Sequence, residues 1–164
     1  MMILRHLLSI LLLPFVVVVI VPWGLLSAFP ADGSQGLSGL AHLVGGLLFL
    51  AGLGLFGWCV RLFATAGQGT LAPWDPTRSL VAAGPYAYMR NPMITGVAAM
   101  LIGQAIFWPS FAVAAWAGLF ILINHAYFLL MEEPGLEVRF GTAYRAYKAN
   151  VPRWLPRRTP WNGE

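Results

Sequence analysis

The chain has 164 residues, of which 59% are hydrophobic and only 10% charged, against about 25% charged in an ordinary soluble domain. That balance excludes a soluble enzyme and predicts one small all-α integral membrane domain. The net charge of +4 comes mostly from a tail holding Arg139, Arg145, Lys148, Arg153, Arg157 and Arg158, which beside apolar helices suits anionic lipid headgroups and not nucleic acid.

About four apolar segments follow in chain order: Leu7–Phe29, Leu40–Phe63, Met93–Trp108 and Phe111–Met131. A span needs roughly 20 residues, so the third is short and draws on Pro92 or on Trp108 at the interface. Residues 1–29 also have the outline of a signal peptide, with Arg5 and His6 as its basic start. The apolar stretch is longer than the roughly 7–15 residues of such a core, however, and an uncleaved helix bent by Pro14 and Pro22 is the better reading. Cys59 is the only cysteine and the histidines are scattered at 6, 42 and 125; no metal site is expected. Cys59 reads as a packing residue.

Orientation follows from charge. The connection Pro30–Gly39 and the turn Trp108-Pro109-Ser110 carry no Lys or Arg, so all ten basic residues fall on one side. The positive-inside rule makes that side cytoplasmic, with both termini, in a bacterial-type inner membrane. The domain then divides into two N-terminal transmembrane helices (1–64), a cytoplasmic loop (65–92), a transmembrane hairpin (93–131), and an amphipathic helix with the basic tail (132–164). Gly52-Leu53-Gly54-Leu55-Phe56-Gly57 spells GxGxxG, but it lies inside a span rather than after a strand. Its glycines suit close helix packing, as do Ala99/Gly103 and Ala114/Gly118, whose spacing also fits a homodimer.

The hairpin brings Gly84-Pro85-Tyr86-Ala87-Tyr88-Met89-Arg90-Asn91-Pro92 to the same membrane depth as Glu132-Glu133. Asn91 caps a helix that Pro92 begins, and that helix start also offers N–H groups to an anion. Arg90 is either a positive-inside anchor or a carboxylate-binding group. Glu132 and Glu133 sit at the end of a span, where acids oppose the helix dipole and mark function. They either pair with Arg90 or tail arginines, or hold a bound cation. His125, seven residues before Glu132, shares nearly one helix face with it and either contacts a ligand or bonds a neighbouring helix. Leu136, Phe140, Tyr144, Tyr147 and Val151 recur at helical spacing. They form an interfacial helix resting in the headgroups or a lid, with Trp154 and Trp161 as belt residues.

These motifs resemble the isoprenylcysteine carboxyl methyltransferase family and the related phospholipid N-methyltransferases. The resemblance covers about residues 68–156. It rests on Gly69-Thr70, Ala72-Pro73-Trp74-Asp75-Pro76, Gly84-Pro85-Tyr86, Arg90-Asn91-Pro92-Met93, Gly96, Glu132-Glu133, Leu136, Phe140-Gly141, Tyr144, Tyr147 and Val151-Pro152-Arg153. It implies S-adenosylmethionine as methyl donor, with Gly84, Pro85, Tyr86, Arg90, Asn91, Pro92, Glu132 and Glu133 as cofactor contacts. The glutamates would hold its ammonium end. Arg90, Asn91 and His125 are the catalytic candidates, and the acceptor is a lipophilic or small molecule carrying a carboxylate, amine or thiol. The family's usual histidine before the proline is Asn91 here, and its usual tyrosine after it is Ile94, departures that bear on the acceptor. The rival readings are an NADPH-dependent membrane reductase of the sterol reductase type and a non-catalytic lipid-binding protein.

Overall fold

The computed structural model describes residues 13–30, 38–66 and 80–163. Arg5, His6, Asp32, Arg78 and the 69–76 stretch lie outside them. Every regular element described is helical: α1 (Leu13–Ala28), α2 (Ser38–Ala66), a 3-10 turn (Gly84–Ala87), α3 (Pro92–Phe107), α4 (Phe111–Tyr127), a π-turn (Phe128–Glu132) and α5 (Glu133–Asn150). Two helical stretches, Gly39–Leu62 and Phe111–Asn150, are long and apolar enough to cross a membrane, and α1 and α3 are shorter apolar helices. The chain forms two compact units, one of residues 1–54 and 96–122, the other of 55–95 and 123–164.

In the first unit, Pro22 dictates the backbone of α1. A π-turn spans Val16–Ile20, and the N–H of Val21 bonds back five residues to the Val16 carbonyl. The Val17 carbonyl thereby loses the N–H of Val21. The Val18 carbonyl loses its partner too, because Pro22 has no N–H. Unpaired carbonyls are costly in hydrocarbon, and side chains from other helices take both. Gln104 Nε2 donates to Val18 O at 2.8 Å, and Trp116 Nε1 donates to Val17 O at 3.0 Å. The expected bend at Pro22 is therefore a π-turn tied to α3 and α4.

Glycine lets α2 and α3 touch backbone to backbone. A Cβ on Gly45 would lie 2.6 Å from the Gly103 carbonyl oxygen, one on Gly103 2.7 Å from that of Gly45, and one on Gly52 2.5 Å from that of Gly96. Of the GxGxxG glycines only Gly52 packs this way; Gly54 and Gly57 meet nothing within 4 Å, and neither does Gly118. Gly45→Leu should therefore cost about 3 kcal/mol or more through overpacking, seen as a large drop in the melting temperature of the detergent-solubilised protein. Gly54→Leu should melt like wild type. Equal behaviour of the two variants would refute the contact.

The second unit has its own small core. Tyr144, Tyr147 and Val151 are buried, with Leu80, Ala82, Leu136, Phe140 and Trp161 packed around them. The apolar stripe of α5 thus packs against protein. Its direction changes at Gly141, whose φ of 54° is open only to glycine at little cost.

Candidate active site

The second unit collects the motif residues. Gly84 begins the 3-10 turn at φ 57°, and a Cβ there would approach Leu62 Cδ2 at 3.4 Å. Pro85 is buried beneath it. The Tyr86 hydroxyl hydrogen-bonds Cys59, which is fully buried. Burial, with Cys59, Tyr147 and Glu132 nearby, pushes that phenol well above its ordinary range. The Tyr147 hydroxyl donates to the Tyr86 carbonyl at 2.7 Å. Pro92 opens α3, and the Asn91 carbonyl accepts from the Thr95 N–H at 3.0 Å and its hydroxyl at 2.9 Å, as a helix start requires.

The basic tail folds back along this loop. Arg90 N donates to Pro152 O at 2.9 Å and Asn91 N to Arg153 O at 3.3 Å. Farther on, Arg157 N donates to Tyr88 O at 3.0 Å and Trp161 N to Ala87 O at 2.9 Å. The backbone of the tail is thus bound to the motif loop.

That path explains the two acids, which behave differently. The expected helix end after Met131 is absent: Pro134 removes an N–H, Glu133 N bonds back five residues to Phe128 O, and the helix continues through a π-turn. The arrangement repeats the one before Pro22, with the proline two residues past the turn. A π-turn carries one extra residue, which shifts the following side chains by about 100° around the axis. Adjacent glutamates point about 100° apart on any helix, and the π-turn sets which of them faces the basic groups and breaks the seven-residue register from His125.

Glu133 is saturated. Its Oε1 accepts from Arg90 Nη1 at 2.8 Å and from Arg153 Nε and Nη2 at 2.8 and 2.7 Å, while Lys148 Nζ lies 3.2 Å from Oε2. Lys148 also pairs with Glu137 at 2.7 Å. The Glu133 side chain is only 6% exposed. Burial alone would raise its pKa, but the hydrogen bond from Arg153, the Arg90 charge and the Lys148 bond outweigh it and hold the carboxyl below its usual range. Glu132 makes no hydrogen bond or ion pair among the described residues. Burial, then the charge of Glu133, pushes it up to about 7. Arg90 keeps a polar atom in reserve, since its buried Nε has no partner.

His125 stands in an aromatic group. Trp154 stacks on it with centroids 6.2 Å apart, and Phe128 lies 5.7 Å from Trp154. The Trp154 indole N–H donates to His125 Nδ1 at 3.1 Å. An indole can only donate, so Nδ1 is the acceptor and Nε2 carries the proton of the neutral ring. The nitrogen able to take a proton is already engaged.

A family model described as phospholipid methyltransferase matches residues 40–143, well over half of the chain. The chain belongs to the phospholipid methyltransferase family. An uncharacterized protein of Haemophilus influenzae is 46% identical over 43 residues, which is 25% of this chain and 68% of that protein. No solved structure matches the chain. Membership makes this a membrane methyltransferase. The matched stretch contains Arg90 and both glutamates and stops short of Lys148, Arg153 and Trp154. The tail residues that complete the clamp had one sequence signal, the abundance of arginine after Glu133. Trp154 as the partner of His125 had none.

Proposed function

We propose that this protein transfers a methyl group from S-adenosylmethionine to a lipophilic acceptor at the cytoplasmic face of the membrane. The observation that carries the reading is the contrast between the two acids. Glu133 is consumed by three cations, whereas Glu132 is half-buried, unpaired among the described residues and shifted to about 7. A carboxylate in that state gains most from a cationic ligand. Glu132 takes the ammonium group of the donor. The donor's carboxylate is matched by Arg90, whose Nε lacks a partner, in a cluster where the three cations Arg90, Arg153 and Lys148 form ion pairs with two carboxylates, Glu133 and Glu137, among the described residues.

The donor supplies an electrophilic methyl group on a sulfonium. The acceptor's lone pair forms the new bond to the methyl carbon as the sulfur–carbon bond breaks and sulfur keeps the electron pair. The chain's task is to align the reactants and exclude water. Tyr86 or Tyr88 offers an aromatic face to the sulfonium. His125, with Nδ1 held by Trp154, serves as a fixed Nε2–H donor rather than as a base. That arrangement favours an acceptor reacting as a carboxylate or as an amine already free of its proton. Orientation rests on the one-sided placement of Lys and Arg.

Equilibrium binding to the detergent-solubilised protein tests this. Labelled S-adenosylmethionine should bind and be displaced by its demethylated product but not by NADPH. Methyl label should then appear in the lipid fraction of vesicles holding the protein. Binding of NADPH in place of the methyl donor would overturn the proposal.

A further inference from the structure

The first unit contains a cleft of about 910 Å³ that the methyl-transfer reading does not use. Its size matches small-molecule sites, commonly about 300–1,000 Å³. Val18, Trp23, Phe49, Leu50 and Phe107 supply much of an apolar wall, and Gln104 also faces it. Gln104 is only 8% exposed. Its orientation is forced, because the Val18 carbonyl can only accept and so must face Nε2, at 2.8 Å. The amide oxygen Oε1 therefore points elsewhere, and among the described residues no donor reaches it. An amide acceptor that opens onto an apolar cleft without a donor is costly in hydrocarbon.

We propose that this cleft binds a lipid carrying a free hydroxyl, whose O–H donates to Gln104 Oε1 while its chain lies along the apolar wall. The occupant follows from the lining. An anion would find no cation there, since none of the lining residues is charged. A pure hydrocarbon would leave Oε1 unpaired. The proline-driven π-turn of α1 supplies the device: it commits the amide nitrogen to Val18 and so presents the oxygen to the cleft. This site is independent of the methyl donor and is read out without turnover.

The probe is a twelve-carbon alcohol brominated near its far end, compared with the brominated alkane of equal length. The full chain is held in a detergent without hydroxyl groups. Trp23 and Trp108 line the cleft, so occupancy quenches tryptophan fluorescence. The alcohol should bind about tenfold more tightly than the alkane, the difference one buried hydrogen bond makes. Gly46→Leu should abolish quenching by both. Gly46 lines the cleft, and a Cβ there meets only the Phe107 ring at 3.8 Å, so this variant fills space without disturbing Gln104 or the helix contact. Equal affinity for alcohol and alkane would remove the role of Gln104. Unchanged alcohol binding by a folded Gly46→Leu protein would place the lipid elsewhere. Either result overturns the proposal.

Discussion

Glu132→Gln should weaken S-adenosylmethionine binding about 30- to 100-fold while leaving the melting temperature of the ligand-free protein unchanged or slightly raised. The binding loss is that expected for a charge-assisted contact to an ammonium group, about 2–3 kcal/mol. The stability result follows because Glu132 holds nothing together: it has no described partner, and its charge sits beside that of Glu133. The same residue sets a pH dependence. Its folded value, about 7, lies above the ordinary 4.5, so its ionisation opposes folding. The associated stability is fully present below about 4.5 and is lost as pH rises through 7. Ligand binding runs the opposite way. A cation favours the ionised form, so affinity should rise toward about tenfold per unit below pH of about 7 and level off above it. Calorimetric titration across this range, on wild type and Glu132→Gln, measures both effects. A wild-type affinity flat in pH, or a variant that binds as tightly as wild type, would show that Glu132 does not hold the ammonium.

The membrane class, the helical segments and the motif were legible in the sequence because each depends on local composition. Pro92 starts α3 where the Asn-Pro pair predicts, and Arg90 meets one of the two glutamates. What composition did not reveal was the division of labour between Glu132 and Glu133. Which of the two meets the arginines depends on the π-turn, a one-residue insertion in helical register that side-chain periodicity cannot express. Its cause was nonetheless written in the chain. A proline inside a helix removes an N–H and strands the carbonyl four residues earlier, which at Pro22 means Val18. Gln104, a polar amide in the third apolar segment, is the donor such a carbonyl calls for. The tail was harder. Lys148 and Arg153 reach Glu133 only beyond the reversal of direction at Gly141, and a lone glycine in an amphipathic pattern does not announce a turn. The stripe of Leu136, Phe140, Tyr144, Tyr147 and Val151 fits an interfacial helix and a small protein core equally well by periodicity. Contacts with Leu80, Ala82 and Trp161 decide for the core.

Glu133→Gln should act on stability first. The substitution leaves Arg90, Arg153 and Lys148 facing an amide, and the Arg90 side chain is only 11% exposed. Removing one member of a buried ion cluster typically costs about 3–5 kcal/mol, because the remaining charges stay desolvated without compensation. For a chain of this size that corresponds to a fall in melting temperature of roughly 10 °C. The folded Glu133 value is depressed, so its contribution is present above the ordinary 4.5 and is lost as pH falls through the folded value. The wild-type advantage over the variant should therefore shrink in acid below that value and hold steady at neutral pH. The variant should also free the tail, since Arg153 is both a Glu133 partner and, through its carbonyl, the acceptor for Asn91 N. Faster amide exchange at Arg90 and Asn91 would report this directly. Glu133→Asp, which keeps the charge on a shorter arm, should recover part of the loss. If Glu133→Gln melts like wild type and loses only ligand affinity, while Glu132→Gln is the variant that unfolds, the two acids have exchanged roles and the clamp lies at Glu132.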